Sequence, residues 1–303
     1  MTPPDFLSTL VPELRYQYET ACEAVTSFEE NISSDDLSAQ EVLRAHFAIC
    51  AFFADEAEGL GGVGPKNVGL LLSALSRQFV GIGHTQKWVT IHDKAATLLY
   101  GLVMNHPFHD ANKRTAYLST IHYLFRNGYA VTVSEKALED LTVTVANRNL
   151  EKFRRFKQLR RKSDDPEVEF LSHYLRQNTR KVDRQQYLVT YRELDKLLQR
   201  YDAWLENPHN NFIDVMTWET VERRSGGIFS RKTIKTREKK RACSLGFPGW
   251  TRQVGKGRLK HVRDTLNLTP QHGVDSQSFF KEVDDMKVLL ELYQGALRRL
   301  AFR

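Results

Sequence analysis

The chain has 303 residues, 41% of them hydrophobic, and a formal net charge of +7. That length suits two domains with separate cores, and no apolar run is long enough to cross a bilayer. The charge is uneven: residues 1–150 carry 11 Lys+Arg against 17 Asp+Glu, and residues 151–303 carry 33 against 20, so the second half is the one suited to a polyanion such as RNA. Met1 to Asp5 offer no basic stretch followed by an apolar one, so no secretory leader is expected. Cys22, Cys50 and Cys243 are odd in number and far apart, which argues against disulfides and thiolate zinc and fits a reducing cytoplasm.

Taken in order, residues 11–32 predict a helix with Val11, Leu14, Tyr18 and Cys22 on one side. Ser38-Ala39-Gln40-Glu41 reads as a capping box that opens a helix through Val42, Leu43, His46, Phe47, Cys50 and Phe53. His46 lies on that apolar face and reads as a hydrogen-bonded core histidine rather than a ligand. Gly59, Gly61, Gly62 and Gly64 form a loop without the spacing of a phosphate-binding fingerprint. A helix over Asn67–Phe79 and a short hairpin or flap over residues 80–91 follow. Ala95, Leu98, Leu99, Leu102 and Val103 then mark one buried helix face, and Ala116, Leu118, Ile121, Leu124 and Phe125 mark another, closed by Asn127-Gly128. Ser134 caps a further helix through Leu138, Leu141 and Val145. This half reads as all-helical with one flap.

Between the two buried faces lie nine residues, His106-Pro107-Phe108-His109-Asp110-Ala111-Asn112-Lys113-Arg114. They occupy a loop that opens a helix, where free backbone N–H groups and the helix dipole favour a phosphate. The run resembles the Fic/Doc motif, H-x-F-x-[D/E]-[G/A]-N-[G/K]-R, and its Ala-Asn-Lys-Arg ending resembles the Doc (death-on-curing) toxin branch. Positions from Leu37 to Asn127-Gly128-Tyr129 add to the likeness, which covers roughly residues 37–147.

The resemblance implies roles. His106 would be the general base, Phe108 a buried anchor, and Asp110 the ligand of Mg²⁺. Ala111, Asn112, Lys113 and Arg114 would bind the phosphates of ATP. Lys113 stands where adenylylating members have glycine, and Tyr117 stands where they have a second arginine. Both are Doc-like, so the implied activity is phosphoryl transfer from ATP to a target protein, elongation factor Tu in the family, with a cognate antitoxin as restraint. AMP transfer is the enzymatic alternative. A metal phosphohydrolase built on His109-Asp110 with His84, His92 and His122 would leave Phe108 and Asn112-Lys113-Arg114 unexplained. The sequence Thr26 to Asn31 formally fits the self-inhibitory pattern [S/T]-x-x-x-E-[G/N], although Tyr117 removes the arginine that its glutamate would engage.

Residues 150–185 predict a basic helix, a turn and a second helix, together a connector. Thr190-Tyr191-Arg192-Glu193 caps a helix that buries Leu194, Leu197, Leu198 and Tyr201. Strand-like runs follow at Ala203–Glu206, Phe212–Trp218 and Ala242–Phe247, the first turn at residues 207–210, then a helix at Gly257–Leu266. This α-β-β-β-α order weakly resembles HicA-type and double-stranded-RNA-binding modules, without the Gly-Ser pair that precedes the HicA histidine. Between Arg223 and Arg263 stand 14 Lys+Arg against one acid, Glu238, interspersed with aromatics. Lys232, Lys235, Lys239, Lys240, Arg252, Lys256, Arg258 and Lys260 are the candidates for RNA contact. A last helix, Ser278–Leu300, has a broad apolar face.

The expected architecture is therefore multidomain. An all-α Fic/Doc-like domain (1–149) is followed by a charged connector (150–185) and a basic α+β module that includes the C-terminal helix (186–303). The protein is expected to be cytoplasmic, with no membrane contact. If the loop were inactive, the alternative is an RNA- or ribosome-binding protein.

Overall fold

The computed structural model describes residues 6–33, 35–54, 61–82, 85–182, 189–225, 232–269, 272, 274, 279–280 and 283–303, with only the backbone described at 82, 222–225 and 232–235. The chain divides into two compact units: residues 1–186 with 285–303, and residues 187–284.

In the first unit, α1 (Pro12–Glu23) and a one-turn α2 (Thr26–Glu29) replace the single helix expected over residues 11–32. The chain turns between them and buries Val25 completely. Helix α3 (Ala39–Phe52) starts at Ser38, whose Oγ accepts the Glu41 N–H at 3.1 Å as the capping pattern foresaw. Glu29 of α2 adds to this cap, accepting the N–H groups of Ala39 at 2.5 Å and Gln40 at 3.2 Å. A carboxylate at a helix start is favoured by the orphan donors there. Helix α4 (Val68–Ser76) begins at Asn67, and the flap is a minimal hairpin, β1 (Gly81–Ile82) with β2 (Thr85–Gln86).

Two helices form the centre. Helix α5 (Ile91–Asn105) is fixed at its start by a reciprocal Thr90–Asp93 box, and α6 (Asn112–Arg126) ends at Asn127 with Gly128 at φ 79°. From Arg114 to Leu124 every residue of α6 is buried, which is how a helix reads when it is surrounded. Helices α4 and α5 approach so closely that a Cβ on Gly101 would lie 3.0 Å from Ala74.

Three elements extend this unit beyond the expected boundary. After β3 (Tyr129–Val131) and α7 (Glu135–Ala146), helices α8 (Arg154–Leu159) and α9 (Pro166–Gln177) bury Phe156, Val168, Phe170, Leu171 and Leu175. Strand β4 (Thr179–Lys181) then pairs antiparallel with β3. Residues 150–182 are therefore part of the first unit rather than a connector. Their charge covers an amphipathic surface whose apolar face supplies core.

The second unit runs through α10 (Tyr191–Gln199), β5 (Ala203–His209), β6 (Phe212–Ser225), β7 (Lys232–Gly246) and α11 (Lys256–Thr265). The strands form one antiparallel sheet in the order β5-β6-β7. The first hairpin turns at Asn210-Asn211 (φ 44° and 62°), a two-residue turn of left-handed residues one step later than the Pro208 turn suggested. β6 and β7 pair from Phe212↔Gly246 to Ser225↔Lys232 with one register shift between Val215 and Met216, so much of the basic stretch is strand backbone. Leu194, Leu197 and Leu198 pack with Ile213, Val215, Leu245, Val262 and Phe279 in its core.

The C-terminal helix is two. Helices α12 (Asp285–Leu292) and α13 (Gln294–Ala301) belong to the first unit, while Phe279 and Phe280 stay in the second. Expected as part of the basic module, residues 285–303 instead pack on α6 and α7. Tyr293 meets Tyr117 edge-on at 5.8 Å, and Arg299 and Arg303 both pair with the fully buried Glu139 of α7. A buried carboxylate demands such partners. Among the described residues, no helix is long and apolar enough to cross a membrane.

Candidate active site

The nine-residue run links α5 to α6 through two left-handed residues, His106 (φ 45°) and Ala111 (φ 57°). His106 ends α5 with its ring exposed, and Ala111 turns the chain into the first turn of α6. Phe108 is fully buried and stacks on His46, ring centroids 3.9 Å apart and planes 12° apart. His46 is fixed in turn: its Nε2 accepts the Gly64 N–H at 3.0 Å, so Nδ1 carries the proton and donates to Thr115 Oγ1 at 3.0 Å. Burial pushes its pKa down to about 3, which keeps it neutral.

Asn112 braces the loop. Its Oδ1 accepts the Phe108 N–H at 2.9 Å and its Nδ2 donates to the Phe108 carbonyl at 3.0 Å. With both ends of the amide engaged, what Asn112 offers an anion is its backbone N–H. That group opens α6 beside those of Lys113 and Arg114, where no carbonyl lies four residues back within the helix.

Asp110 accepts the Gly61 N–H at 3.0 Å and the Ala111 N–H, and Arg114 lies 3.6 Å from its Oδ2. Burial raises its pKa, but the two N–H groups and the arginine outweigh it, and the carboxyl sits below its ordinary range. A carboxylate has about four lone-pair positions, and this one is partly exposed, so it keeps capacity for a cation. One such carboxylate with nucleotide phosphates is a sufficient protein contribution for Mg²⁺. Arg114 is buried, with its guanidinium 5.4 Å from the centre of the Phe53 ring.

The surroundings of His106 are cationic. Burial lowers its pKa first, and Lys66, Lys113 and Arg148 lower it further, so the ring is neutral at neutral pH. Lys113 is itself depressed, by burial and by Arg114 and Arg303, against the attraction of Asp110. Tyr117 lies fully buried under Tyr293, so the position holds no cation.

Sequence reading overlooked several parts of this arrangement. The glycine loop contributes Gly61 to Asp110, and Gly62 lets it pass so near that a Cβ would lie 2.7 Å from His109 Cβ. The closeness of these glycines to one another was the available signal. Lys66 and Arg148 gave none. The other readings separate from the site. His92 bonds Thr179 Oγ1 at 2.8 Å and His122 is buried on α6, while His84 lies outside the described residues. Among the described residues, no three His, Cys, Asp or Glu side chains converge as a metal cluster. Glu30, the formal self-inhibitory glutamate, is exposed, and its neighbour Glu29 serves α3.

The Fic/DOC family model matches residues 36–124, which include the whole loop, α5 and all but the last two residues of α6. Through this segment the chain is similar to the Fic/Doc family. Over 86 residues the chain is 35% identical to "Toxin Doc" of Mycolicibacterium smegmatis (strain ATCC 700084 / mc(2)155), covering 28% of this chain and 66% of that protein. The match thus spans just under two thirds of that relative. No solved structure matches the chain.

The expected RNA-binding residues all fall in the second unit. Lys239 and Lys240 on β7 pair with Glu206 at 3.1 Å and Glu219 at 2.6 Å. Arg252, Lys256 and Lys260 are exposed, whereas Arg258 reaches Tyr191 Oη at 3.4 Å. The side chains of Lys232 and Lys235 lie outside the described residues.

Proposed function

We propose that this Fic/Doc-like protein transfers the γ-phosphoryl group of ATP to a hydroxyl of a target protein. A translation factor such as elongation factor Tu is the proposed target, growth arrest the consequence, and an antitoxin the restraint. The observation that carries the reading is a neutral His106 set among Lys66, Lys113 and Arg148, next to the open N–H groups of α6. In this reading His106 takes the proton of the target hydroxyl as its oxygen attacks the γ-phosphorus. The bond from that phosphorus to the β,γ-bridging oxygen breaks, and ADP leaves. The first-turn N–H groups of α6, Lys113 and Arg114 hold the phosphate oxygens in place. Asp110 would hold Mg²⁺ between itself and the phosphates, and the ion when bound offsets their charge. Lys113 and the buried Tyr117 are what favour phosphoryl over AMP transfer, since neither leaves the glycine space or the second arginine of adenylylating members.

His106→Ala should keep the thermal midpoint, because the ring is exposed, and lose growth arrest on expression. Full toxicity in that variant would refute the reading.

For the second unit we infer RNA binding, now supported by more than charge. On the sheet Trp204 and Trp218 lie 5.2 Å apart, with Lys239 5.4 Å from the first ring and Arg237 5.7 Å from the second. Rings and cations together form a surface suited to bases and phosphates. Affinity for a mixed-sequence RNA should fall steeply with salt and fall again in Trp218→Ala; affinity indifferent to ionic strength would contradict this.

A further inference from the structure

A cleft of about 280 Å³ opens in the first unit between α5, the end of α7, α8 and α9. Its apolar wall includes Met104 of α5, Leu150, and Phe156 of α8, the last two buried. Three polar residues join them: Tyr100 of α5, Arg148 just after α7, and Glu167 of α9. Arg148, Leu150, Phe156 and Glu167 lie beyond residue 124, where the family match ends.

The polar groups are not engaged with one another. Among the described residues, the side chains of Arg148 and Glu167 form no hydrogen bond or ion pair, and the Tyr100 hydroxyl forms no hydrogen bond. The Tyr100 ring is held by Arg77, whose guanidinium lies 5.4 Å from its centre. Burial raises the pKa of this phenol, Glu167 raises it further, and Arg77 and Arg148 oppose them, so charges of both signs act on one hydroxyl. Arg148 also has a left-handed backbone, φ 55°, which suits glycine or asparagine better than a long cation. Its N–H bonds the Val145 carbonyl at 2.9 Å, so the end of α7 holds that conformation in place. An arginine kept where its backbone is strained points to a use for its head group.

An apolar cleft with a few convergent polar groups is the usual form of a small-ligand site, and this volume lies at the small end of such sites. A lone anion would satisfy Arg148 and leave Glu167 unmatched, and a lone cation would do the reverse. An ammonium and a carboxylate on one small molecule, with an apolar side chain beside them, match the guanidinium, the carboxylate and the wall together.

We propose that this cleft binds a free α-amino acid with a large apolar side chain, its carboxylate on Arg148, its ammonium on Glu167 and its side chain against Met104, Leu150 and Phe156. Met104 stands two residues before His106, and Arg148 is one of the cations that act on that ring, so the occupant sits beside the motif loop.

The test is calorimetry on the full-length protein with L-leucine, L-methionine and L-phenylalanine, then with glycine and with the N-acetyl and amide derivatives of whichever binds best. At least one of the three should bind with a Kd below about 1 mM. Each derivative loses one charge-assisted contact and should bind about 10- to 100-fold more weakly, and glycine, without the apolar side chain, should also be weaker. Glu167→Gln should weaken the amino acid without weakening its N-acetyl derivative, and Arg148→Ala should weaken the amino acid without weakening its amide. Both variants should keep the wild-type thermal midpoint. Absence of binding by all three, or derivatives that bind as well as the parent, would overturn the proposal. Equal weakening of every probe with a lowered midpoint would make Arg148 and Glu167 structural and overturn it too. Adenosine binding that Glu167→Gln abolishes, with no amino acid bound, would assign the cleft to the nucleotide instead.

Discussion

Around His106, Lys66, Lys113 and Arg148 each lower the proton affinity of an exposed imidazole, and the motif's one carboxylate, Asp110, accepts two backbone N–H groups and lies beside Arg114. On the sheet of the second unit, by contrast, Arg237, Lys239 and Lys240 are half or more exposed, and each meets an acid: Asp202, Glu206 and Glu219. Around His106 the cations add to burial in lowering the ring's proton affinity, and charge of one sign gathered in this way suits an anion. Cations in the second are balanced and solvated, so salt screens them. The same residue types are thus gathered around a histidine in one place and paired with acids on a surface in the other.

Four changes should sharpen that contrast, from the largest effect to the smallest. Phe108→Ala removes a fully buried ring stacked on His46 and should cost about 3–5 kcal/mol in denaturant unfolding. A loss under ~1 kcal/mol would mean the loop is not anchored through that ring. Acid should destabilise the first unit next. His46 and His122 both have folded pKa values pushed down to about 3 by burial, below the ordinary 6.5, so the unfolded chain binds more protons. Their stability is complete above pH 6.5 and lost as pH falls from there toward 3, at about 1.4 kcal/mol per pH unit for each histidine. A denaturant midpoint flat between pH 6.5 and 4 would contradict the assigned neutral forms.

The third change moves a pH profile. Arg148 lowers the pKa of His106, so the neutral base persists below pH 6.5 and the acid limb of activity lies there too. Arg148→Ala should shift that limb upward, by a few tenths of a pH unit for a partly exposed pair. A downward shift would be the wrong sign. Smallest is Glu219→Ala on the sheet, expected to change stability by less than ~1 kcal/mol because Lys240 and Glu219 are both half exposed. A larger loss would mean the two units do not differ in the way described.

Much of the first unit was legible because its signals are local. The Ser38 and Ser134 caps and the Asn127-Gly128 stop are each set by a few neighbouring residues, as is the Thr190 start in the second unit. The motif was legible for the same reason, since nine adjacent residues carry it. What escaped depends on pairing across the chain. Nothing near Thr179 says that it joins a sheet with Tyr129, and nothing near Tyr293 says that it covers Tyr117. The charge of residues 150–162 suggested a connector, yet Phe156 and Phe170 close the core there. Asn112 was read as a phosphate ligand from the motif in which it stands. Only the geometry reveals that its side chain is occupied by Phe108.

The central claim is phosphoryl transfer at His106, and the most direct measurement uses ATP labelled at either the α- or the γ-phosphate. Wild-type protein and His106→Ala are incubated with cell lysate, and label on protein is followed by gel. The account predicts label on a target from the γ-position alone, absent in His106→Ala. Label from the α-position would make the protein an AMP transferase, and label from neither would contradict a catalytic role for the loop.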